Sequence, residues 1–433
     1  MLTTKGTSTL STTNANVVNR DWSNAGAVDW QACIFQVQNG YTFTNSNIFN
    51  ADATGTINQF NTSTFTNAAG GQFNVNTDTT VSSVTFNNAG AINNGPGITL
   101  TLASSGTDSG NWNIGDGTIA MTTGTRTIAS GFSFTTLPGA TLNISGGSFN
   151  NTSGSAVTLP ANLVLNLSGG EINGNSDIII DGDFNWTNGV LNGSGLLTTN
   201  GTSTLSTTNA KVVNRDWTNA GTVDWQAGLF QVRNGFTFTN NSIFNADATG
   251  TIDQFNLANF VNATTGQFNI NTDTTVSAIT FNNAGVINVG TGITLTLASD
   301  GTDSGNWNMG DGTIAMTTGT RTIASGFSFT TLPGATLNIS GGTFRNDSGS
   351  AVTLPVNLVL NLSGGSIFGN SDIIIDGDFN WTNGILSGTG LLTTNGTSTL
   401  STGNAKLINR DWTNAGTVDW QAGLFQVRNG FTF

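Results

Sequence analysis

The ionisable side chains of this chain limit the chemistry that it can perform. The 433 residues contain no histidine, which excludes Ser-His-Asp and Cys-His hydrolysis, histidine-ligated zinc and acid–base catalysis by imidazole. The single cysteine, Cys33, has glycine at its repeat equivalents, Gly228 and Gly423. It therefore forms neither a repeated disulfide nor a repeated metal site. Carboxylates remain, with 24 acidic residues against 11 basic ones.

The densest carboxylate cluster surrounds a short apolar run. Asp177 precedes three isoleucines, and Asp181 and Asp183 follow them on either side of a glycine. Oxygen ligands around a glycine turn are typical of calcium sites. The favoured interpretation is that they are solvated turn acids, because the Gly-Gly-x-Gly-x-Asp array of calcium-binding β-helices is absent. The sequence thus predicts no metal, cofactor or catalytic residue, and the calcium alternative rests on these three residues and their equivalents, Asp372, Asp376 and Asp378.

Arginine and tryptophan recur together in a second pattern. Arg20-Asp21-Trp22 is repeated as Arg215-Asp216-Trp217 and Arg410-Asp411-Trp412. Arginine and tryptophan are favoured at recognition surfaces, but we prefer a local ion pair beside a tryptophan in the core. Arg126 and Arg321 allow the same interpretation.

Two short motifs suggest minor alternatives. Asn76-Thr77-Asp78 resembles a motif of polygalacturonases, which are β-helix enzymes, but the further Asp, His and Arg-Lys elements of those enzymes are absent. Thr99-Leu100-Thr101 is a Thr-x-Thr motif of the kind found on ice-binding faces. An ice-binding face requires such motifs to be aligned on successive coils.

A repeat of 195 residues organises the chain. Arg20, Arg215 and Arg410 mark its constant offset, and 34 of the 195 positions differ between residues 3–197 and 198–392. A clean long period indicates repeat architecture. We therefore divide the chain into copy 1 (1–197), copy 2 (198–392) and the start of a copy 3 (393–433), and we expect one continuous rod cut from a longer array.

Short strands with period-two alternation fill each copy. Examples are Leu163–Leu167 and Phe184–Trp186, and the intervening turns contain glycine, as in Asn39-Gly40 and Pro138-Gly139. The fold class is therefore all-β. Asn-Gly turns also suit antiparallel hairpins in tandem sandwiches. The absence of linkers between copies, the poorly matched internal rungs and the asparagines that can stack in ladders favour a parallel β-helix. Coils of roughly 20 residues would give on the order of 20 coils and a rod of about 100 Å.

Differences between the copies predict which side chains face the core. Conservative changes mark inward positions, because packed interiors tolerate swaps of similar volume. Changes of charge mark outward positions. The predicted inward pairs are Val75/Ile270, Val84/Ile279, Val190/Ile385, Tyr41/Phe236 and Ile114/Met309. The predicted outward pairs are Asn16/Lys211, Gln38/Arg233, Asn58/Asp253, Asn150/Arg345 and Glu171/Ser366.

Charge and hydropathy restrict the partners. The net charge is −13, which disfavours nucleic acid. No run of 18 apolar residues is present, so we expect no membrane span in this segment.

The tryptophan-rich phrases of the repeat resemble those of bacterial surface β-helix proteins. Phe379-Asn380-Trp381-Thr382-Asn383-Gly384, with Asp411-Trp412 and Val418-Asp419-Trp420, is similar to the repeats of filamentous-haemagglutinin-like adhesins and autotransporter passengers. The resemblance implies a right-handed parallel β-helix, or β-solenoid, in an exported, extracellular protein on a bacterial cell surface. Its expected role is a non-enzymatic fibre or stalk that is structural or adhesive. Expected partners are adjacent copies of the same repeat, joined end to end, and a surface glycan or protein. The alternative from another class is a polysaccharide-active β-helix enzyme, a lyase or hydrolase. It is disfavoured because every candidate carboxylate occurs twice.

Overall fold

The computed structural model describes residues 1–433 and contains strands, turns and bends but no helix. Accordingly, no helix is long and apolar enough to cross a membrane. The chain divides into two compact units, which are described separately. Unit 1 comprises residues 1–206 and 211–217, and unit 2 comprises residues 207–210 and 218–433.

Unit 1 consists of three stacks of parallel strands. Strands pair with the strand one coil later, at separations of 19 to 24 residues, as in Phe73 with Ile92 and Phe49 with Phe73. The exception is Ser133–Thr136, which is the last strand of its hydrogen-bonded sheet. Stack A contains Leu2–Thr4, Trp22–Asn24, Thr42–Asn45, Thr64–Asn67, Thr85–Asn88, Gly106–Asp108, Thr125–Ile128, Ser148–Asn151 and Lys211–Asn214. Stack B contains Thr7–Leu10, Ala27–Trp30, Ile48–Ala51, Gln72–Val75, Ala91–Asn94, Asn111–Gly115, Ser133–Thr136, Val157–Leu159, Ile178–Ile180 and Leu197–Thr199. Stack C contains Asn16–Val18, Ile34–Gln38, Gly55–Phe60, Thr79–Ser82, Thr99–Ala103, Thr118–Thr123, Ala140–Ile144 and Thr202–Leu205.

Two long strands join stacks in unit 1. Leu163–Gly174 and Phe184–Asn192 begin in stack C and end in stack A, with register shifts between the two halves. The strand Trp217–Asn219 has residues in both units.

Unit 2 has the same three stacks. Stack A contains Thr237–Asn240, Asn259–Asn262, Thr280–Asn283, Gly301–Asp303, Thr320–Ile323, Thr343–Asn346, Lys406–Asn409 and Phe425–Val427. The stack labels of unit 2 follow the equivalent residues of unit 1. Stack B contains Thr222–Trp225, Ile243–Ala246, Gln267–Ile270, Val286–Val289, Asn306–Gly310, Ser328–Thr331, Val352–Leu354, Ile373–Ile375, Leu392–Thr394 and Trp412–Asn414. Stack C contains Phe230–Arg233, Gly250–Phe255, Thr274–Ser277, Thr294–Ala298, Thr313–Thr318, Ala335–Ile339, Thr397–Leu400 and Thr417–Trp420. The two long strands of unit 2 are Leu358–Phe368 and Phe379–Ser387.

Stacked aromatic rings fill the core of each unit. In stack A of unit 1, Phe43 pairs in register with Phe65, and Phe65 with Phe86. All three are fully buried, with ring centroids 4.8 Å and 5.4 Å apart. Alternation places the rings inward because successive side chains of a strand point to opposite faces. The predicted all-β parallel β-helix is therefore confirmed.

Most of the predicted inward positions are confirmed, and two are wrong. The pairs at 75/270, 84/279 and 114/309 are fully buried. Tyr41 is exposed, because it lies in the turn that follows the left-handed residues Asn39 and Gly40. Ile385 is also exposed, because its neighbour Leu386 takes the inward position and period two sends Ile385 outward.

Four of the five charge changes lie on outward, half-buried positions, as predicted. The fifth is wrong, because Lys211 is fully buried. It begins its strand, and its equivalent Lys406, also buried, shows how the corner accommodates the ammonium: Nζ donates to the carbonyl oxygens of Thr382 at 3.1 Å and Asn404 at 2.9 Å.

Candidate functional site

The acidic cluster at 177–183 does not converge. Asp177 and Asp181 lie at opposite ends of the strand Ile178–Ile180, and an extended strand advances about 3.3 Å per residue, so their backbones are roughly 13 Å apart. Asp177 Oδ1 accepts the amide N–H of Leu196 at 2.8 Å, and Asp181 Oδ1 accepts the side-chain amide of Asn200 at 2.6 Å. No group of three His, Cys, Asp or Glu side chains is arranged to hold a metal ion.

The equivalent acids in unit 2 make the same contacts. Asp372 accepts the amide of Leu391 at 2.8 Å, and Asp376 accepts Asn395 Nδ2 at 2.6 Å. Asp78, from the motif that resembles polygalacturonases, accepts the amide of Thr99 at 2.8 Å. In each case an acid at one end of a strand accepts an N–H from the next coil. These carboxylates therefore link coils.

We predict that thermal stability is independent of chelator. Asp177 and Asp181 are separated by a strand, and each accepts a hydrogen bond from the next coil, so they do not need a cation to offset mutual repulsion. The measurement is the melting temperature by circular dichroism with EDTA and after addition of Ca²⁺. A decrease with EDTA that Ca²⁺ reverses, and that Asp177→Asn abolishes, would establish the calcium alternative.

In the second and third copies of the repeated Arg-Asp-Trp trio, the tryptophans are buried, and the arginines bind backbone carbonyls instead of the adjacent aspartates. Trp217 and Trp412 are buried, as expected. The predicted local ion pair is wrong, because Arg215 is buried and donates to the carbonyl oxygens of Gly195 at 2.9 Å and Asn192 at 3.1 Å. Arg410 likewise donates to Gly390. The guanidinium thus satisfies carbonyls of the preceding coil.

Burial weakens the hold of these guanidinium groups on their protons. It lowers the pKa of Arg215 to about 10, although the nearby carboxylates of Asp177 and Asp216 oppose the decrease. The pKa of Arg410 also falls to about 10 through burial, against the opposing effect of Asp372. Both arginines remain cationic at neutral pH. In contrast, Arg20 is exposed.

Each unit contains a row of buried asparagine side chains that hydrogen-bond from coil to coil, and a buried ion pair lies at the end of this ladder. In unit 1 the side chains of Asn24, Asn45, Asn67 and Asn88 are buried on successive coils, each Nδ2 donating to the next Oδ1 at 2.8–2.9 Å. The next coil has Asp108 at this position, in register with Asn88. Asp108 accepts Trp112 Nε1 at 2.9 Å and pairs with Arg126 at 2.7 Å.

Unit 2 contains the same termination, and it shows how the arginine fits. Arg321 forms two hydrogen bonds with Asp303, at 2.9 Å and 2.8 Å, and donates to the carbonyl oxygen of Phe281 at 2.7 Å. A Cβ atom at Gly301 would lie 2.4 Å from Arg321 Nη1, so the glycine makes room for the guanidinium. Sequence reasoning placed Arg126 and Arg321 in ion pairs but missed the partners, which are 18 residues earlier.

Outer ladders confirm that asparagines stack between coils. On stack B of unit 1, four asparagines donate in series, and the last acceptor is Asp29, at 2.7 Å from Asn50. Asp224 ends the corresponding series in unit 2, at 2.6 Å from Asn245. The other members are Asn74, Asn93 and Asn113 in unit 1 and Asn269, Asn288 and Asn308 in unit 2.

Comparison of the chain with protein-family models, with curated proteins and with solved structures finds no match.

Lys211 gives a pH-dependent test of the buried cations. Burial lowers its pKa from 10.5 to about 8. Below pH 8 both the folded and unfolded states hold the proton, and the folded state bears the desolvation cost. Between about pH 8 and 10.5 the unfolded state binds more protons, so the free energy of unfolding should rise with pH. We expect Lys211→Asn, which installs the residue found at position 16 of copy 1, to be more stable at pH 7 and to show less of this rise. Urea unfolding from pH 7 to 10.5 measures both effects, and identical pH profiles for the two proteins would contradict the prediction.

Proposed function

We propose that this chain is a non-enzymatic structural and adhesive segment of a large extracellular repeat protein, and that it forms a β-solenoid fibre or stalk on a bacterial cell surface. The observation that carries the proposal is the use of the candidate acids. Asp78, Asp177 and Asp181 each accept a hydrogen bond from the following coil, and their counterparts in unit 2 do the same. Side chains committed to coil-to-coil contacts support a role in which continuity of the solenoid is the function.

Pairing across the copy boundary supports adjacent copies of the same repeat as the partner. Val190 of copy 1 pairs in register with Val212 of copy 2, and Phe184 pairs with Ser203. One copy therefore supplies the coil on which the next one continues. The partner proposed is another copy of this repeat, added end to end.

Particle length as a function of concentration tests the fibre and its self-association separately. Negative-stain microscopy and solution scattering over a dilution series should show elongated particles that lengthen at high concentration. Compact globular particles would contradict the fibre. Elongated particles of constant length would contradict self-association only.

Incubation with polysaccharides tests the enzyme alternative. The chain should release neither new reducing ends nor unsaturated ends from acidic polysaccharides. Release that Asp78→Asn together with Asp273→Asn abolishes would favour the polysaccharide-active enzyme instead.

A further inference from the structure

Three oxygen-bearing side chains line up on successive coils of stack A in unit 1. Thr125 pairs in register with Ser148, and Ser148 with Glu171. Neighbouring strands are about 4.8 Å apart, so the two hydroxyls and the carboxylate lie side by side along the stack. Glu171 is the only glutamate in the sequence.

The central hydroxyl has no partner within the protein. Ser148 is only 9% exposed, and its Oγ atom makes no hydrogen bond. A buried hydroxyl in this state costs free energy unless a group from outside satisfies it. None of the three ion pairs in the structure involves Glu171, so its carboxylate has no cationic neighbour.

Glycines leave an open groove beside these three side chains. Gly124, Gly147 and Gly170 precede the three residues and leave a shallow groove that has backbone as its floor. Coil packing leaves no room for a side chain at these glycines. A Cβ atom on Gly147 would lie 2.3 Å from the carbonyl oxygen of Gly124, and a Cβ atom on Gly170 would lie 2.5 Å from the carbonyl oxygen of Gly147. Coil packing thus creates the groove, and the neighbouring side chains determine what it binds.

The corresponding position in unit 2 is satisfied internally. Thr343 and Ser366 replace Ser148 and Glu171, and their hydroxyl oxygens are 2.9 Å apart in a mutual hydrogen bond. Beside them, Arg345 forms an ion pair with Asp347 and lies 5.2 Å from the ring centroid of Phe368. Unit 2 therefore offers no unpaired acid at this place.

The two copies differ at several positions of this patch. Eight positions differ between residues 101 and 189, and five of them lie on these two paired strands or the adjoining turn. These are Ser148, Asn150, Thr152, Glu171 and Asn173. Residues 115–147, which precede Ser148, are identical in the two copies, whereas the following coil differs at Val190, Asn192 and Ser194. The two copies thus share a scaffold and differ in what this surface presents.

We propose that Thr125, Ser148 and Glu171 form a binding site for a primary ammonium group, such as that of an amino sugar or a lysine side chain. An ammonium has three donors and no acceptor, and the three coils supply two hydroxyl oxygens and a carboxylate in a row. Glu171 provides the opposite charge, and the ammonium satisfies the Ser148 hydroxyl. The site gives a ligand class to the adhesive part of the proposed function and rests on it.

Ligand-observed NMR with the whole chain tests the site directly. The probe is glucosamine, and the matched controls are glucose and N-acetylglucosamine, which lack the ammonium. We expect glucosamine to bind with a dissociation constant on the order of 1 mM and the controls to bind at least about tenfold more weakly. The double variant Ser148→Thr with Glu171→Ser carries the residues of unit 2 and should lose this preference. Asp183→Asn changes the net charge by the same amount at an exposed acid and should retain it.

A transplant into unit 2 provides the converse test. Installing Thr343→Ser, Arg345→Asn, Asp347→Thr, Ser366→Glu and Phe368→Asn should raise the stoichiometry from one glucosamine per chain to two. Equal binding of glucose and glucosamine, or undiminished glucosamine binding by the double variant, would overturn the proposal.

Adhesion of chain-coated beads to surfaces bearing primary amines distinguishes failure of the ammonium site from failure of the proposed adhesive function. If glucosamine binds but beads do not adhere, the adhesive function fails and the site stands. If beads adhere equally with the double variant, the site fails and adhesion stands.

Discussion

Replacing Arg321 with methionine is expected to lower the free energy of local unfolding around Asp303 by about 3–5 kcal/mol, because removing one partner of a buried ion pair leaves the other charge buried and uncompensated. Both side chains are inaccessible to solvent. Arg321 also supplies a donor to the carbonyl oxygen of Phe281, 40 residues earlier. The loss therefore affects three successive coils.

Hydrogen exchange read by mass spectrometry measures this effect locally, which suits a fold whose stability is a sum over neighbouring coils. The unaltered ion pair of Asp108 and Arg126 is the internal control, since Met309 gives peptides of unit 2 a mass different from those with Ile114. The variant Arg321→Met with Asp303→Asn should recover much of the protection, because asparagine is the ladder residue of the preceding coils. A double variant as unstable as the single one would show that the charge is not the cause.

Truncating Phe379 to alanine is expected to lower the free energy of local unfolding by about 3–5 kcal/mol. The ring is fully buried, 6.0 Å from the centroid of Trp381 and 6.4 Å from that of Trp412. Phe184 is likewise fully buried, 5.9 Å from the centroid of Trp186, so both phenylalanines face inward as the period-two alternation of Phe184–Trp186 predicts. The cavity would lie between coils, so the loss of protection should be confined to the coils next to it.

Phe255→Ala is the matched control, because that phenylalanine is 58% exposed and buries little area. We expect its hydrogen-exchange protection to change by less than about 1 kcal/mol. Similar losses for the two variants, or a loss from Phe379→Ala spread over all of unit 2, would contradict the local-packing account.

The sequence alone determined the fold class and most of the core. Period-two alternation places Phe184 and Trp186 on one face because a strand has no other way to arrange them. Glycine and asparagine at the turns predicted the corners because they accept positive φ, as Asn39 and Gly40 do. Stacking of asparagines was also predictable, since one amide both donates and accepts.

Only the tertiary structure decided which side chains meet across coils, because the coils vary between 19 and 24 residues and the vertical neighbour of a residue is not fixed by a constant offset. Asp108 finds Arg126 at 18 residues, whereas Ser148 and Glu171 align at 23. The same uncertainty explains the errors. Lys211 reads as a solvent-facing charge, yet the corner buries it, and Arg215 reads as the partner of Asp216, yet carbonyls of the preceding coil satisfy it. A lone acid such as Glu171 becomes a candidate site only when register places an unpaired hydroxyl next to it, and register is a property of the stacked coils.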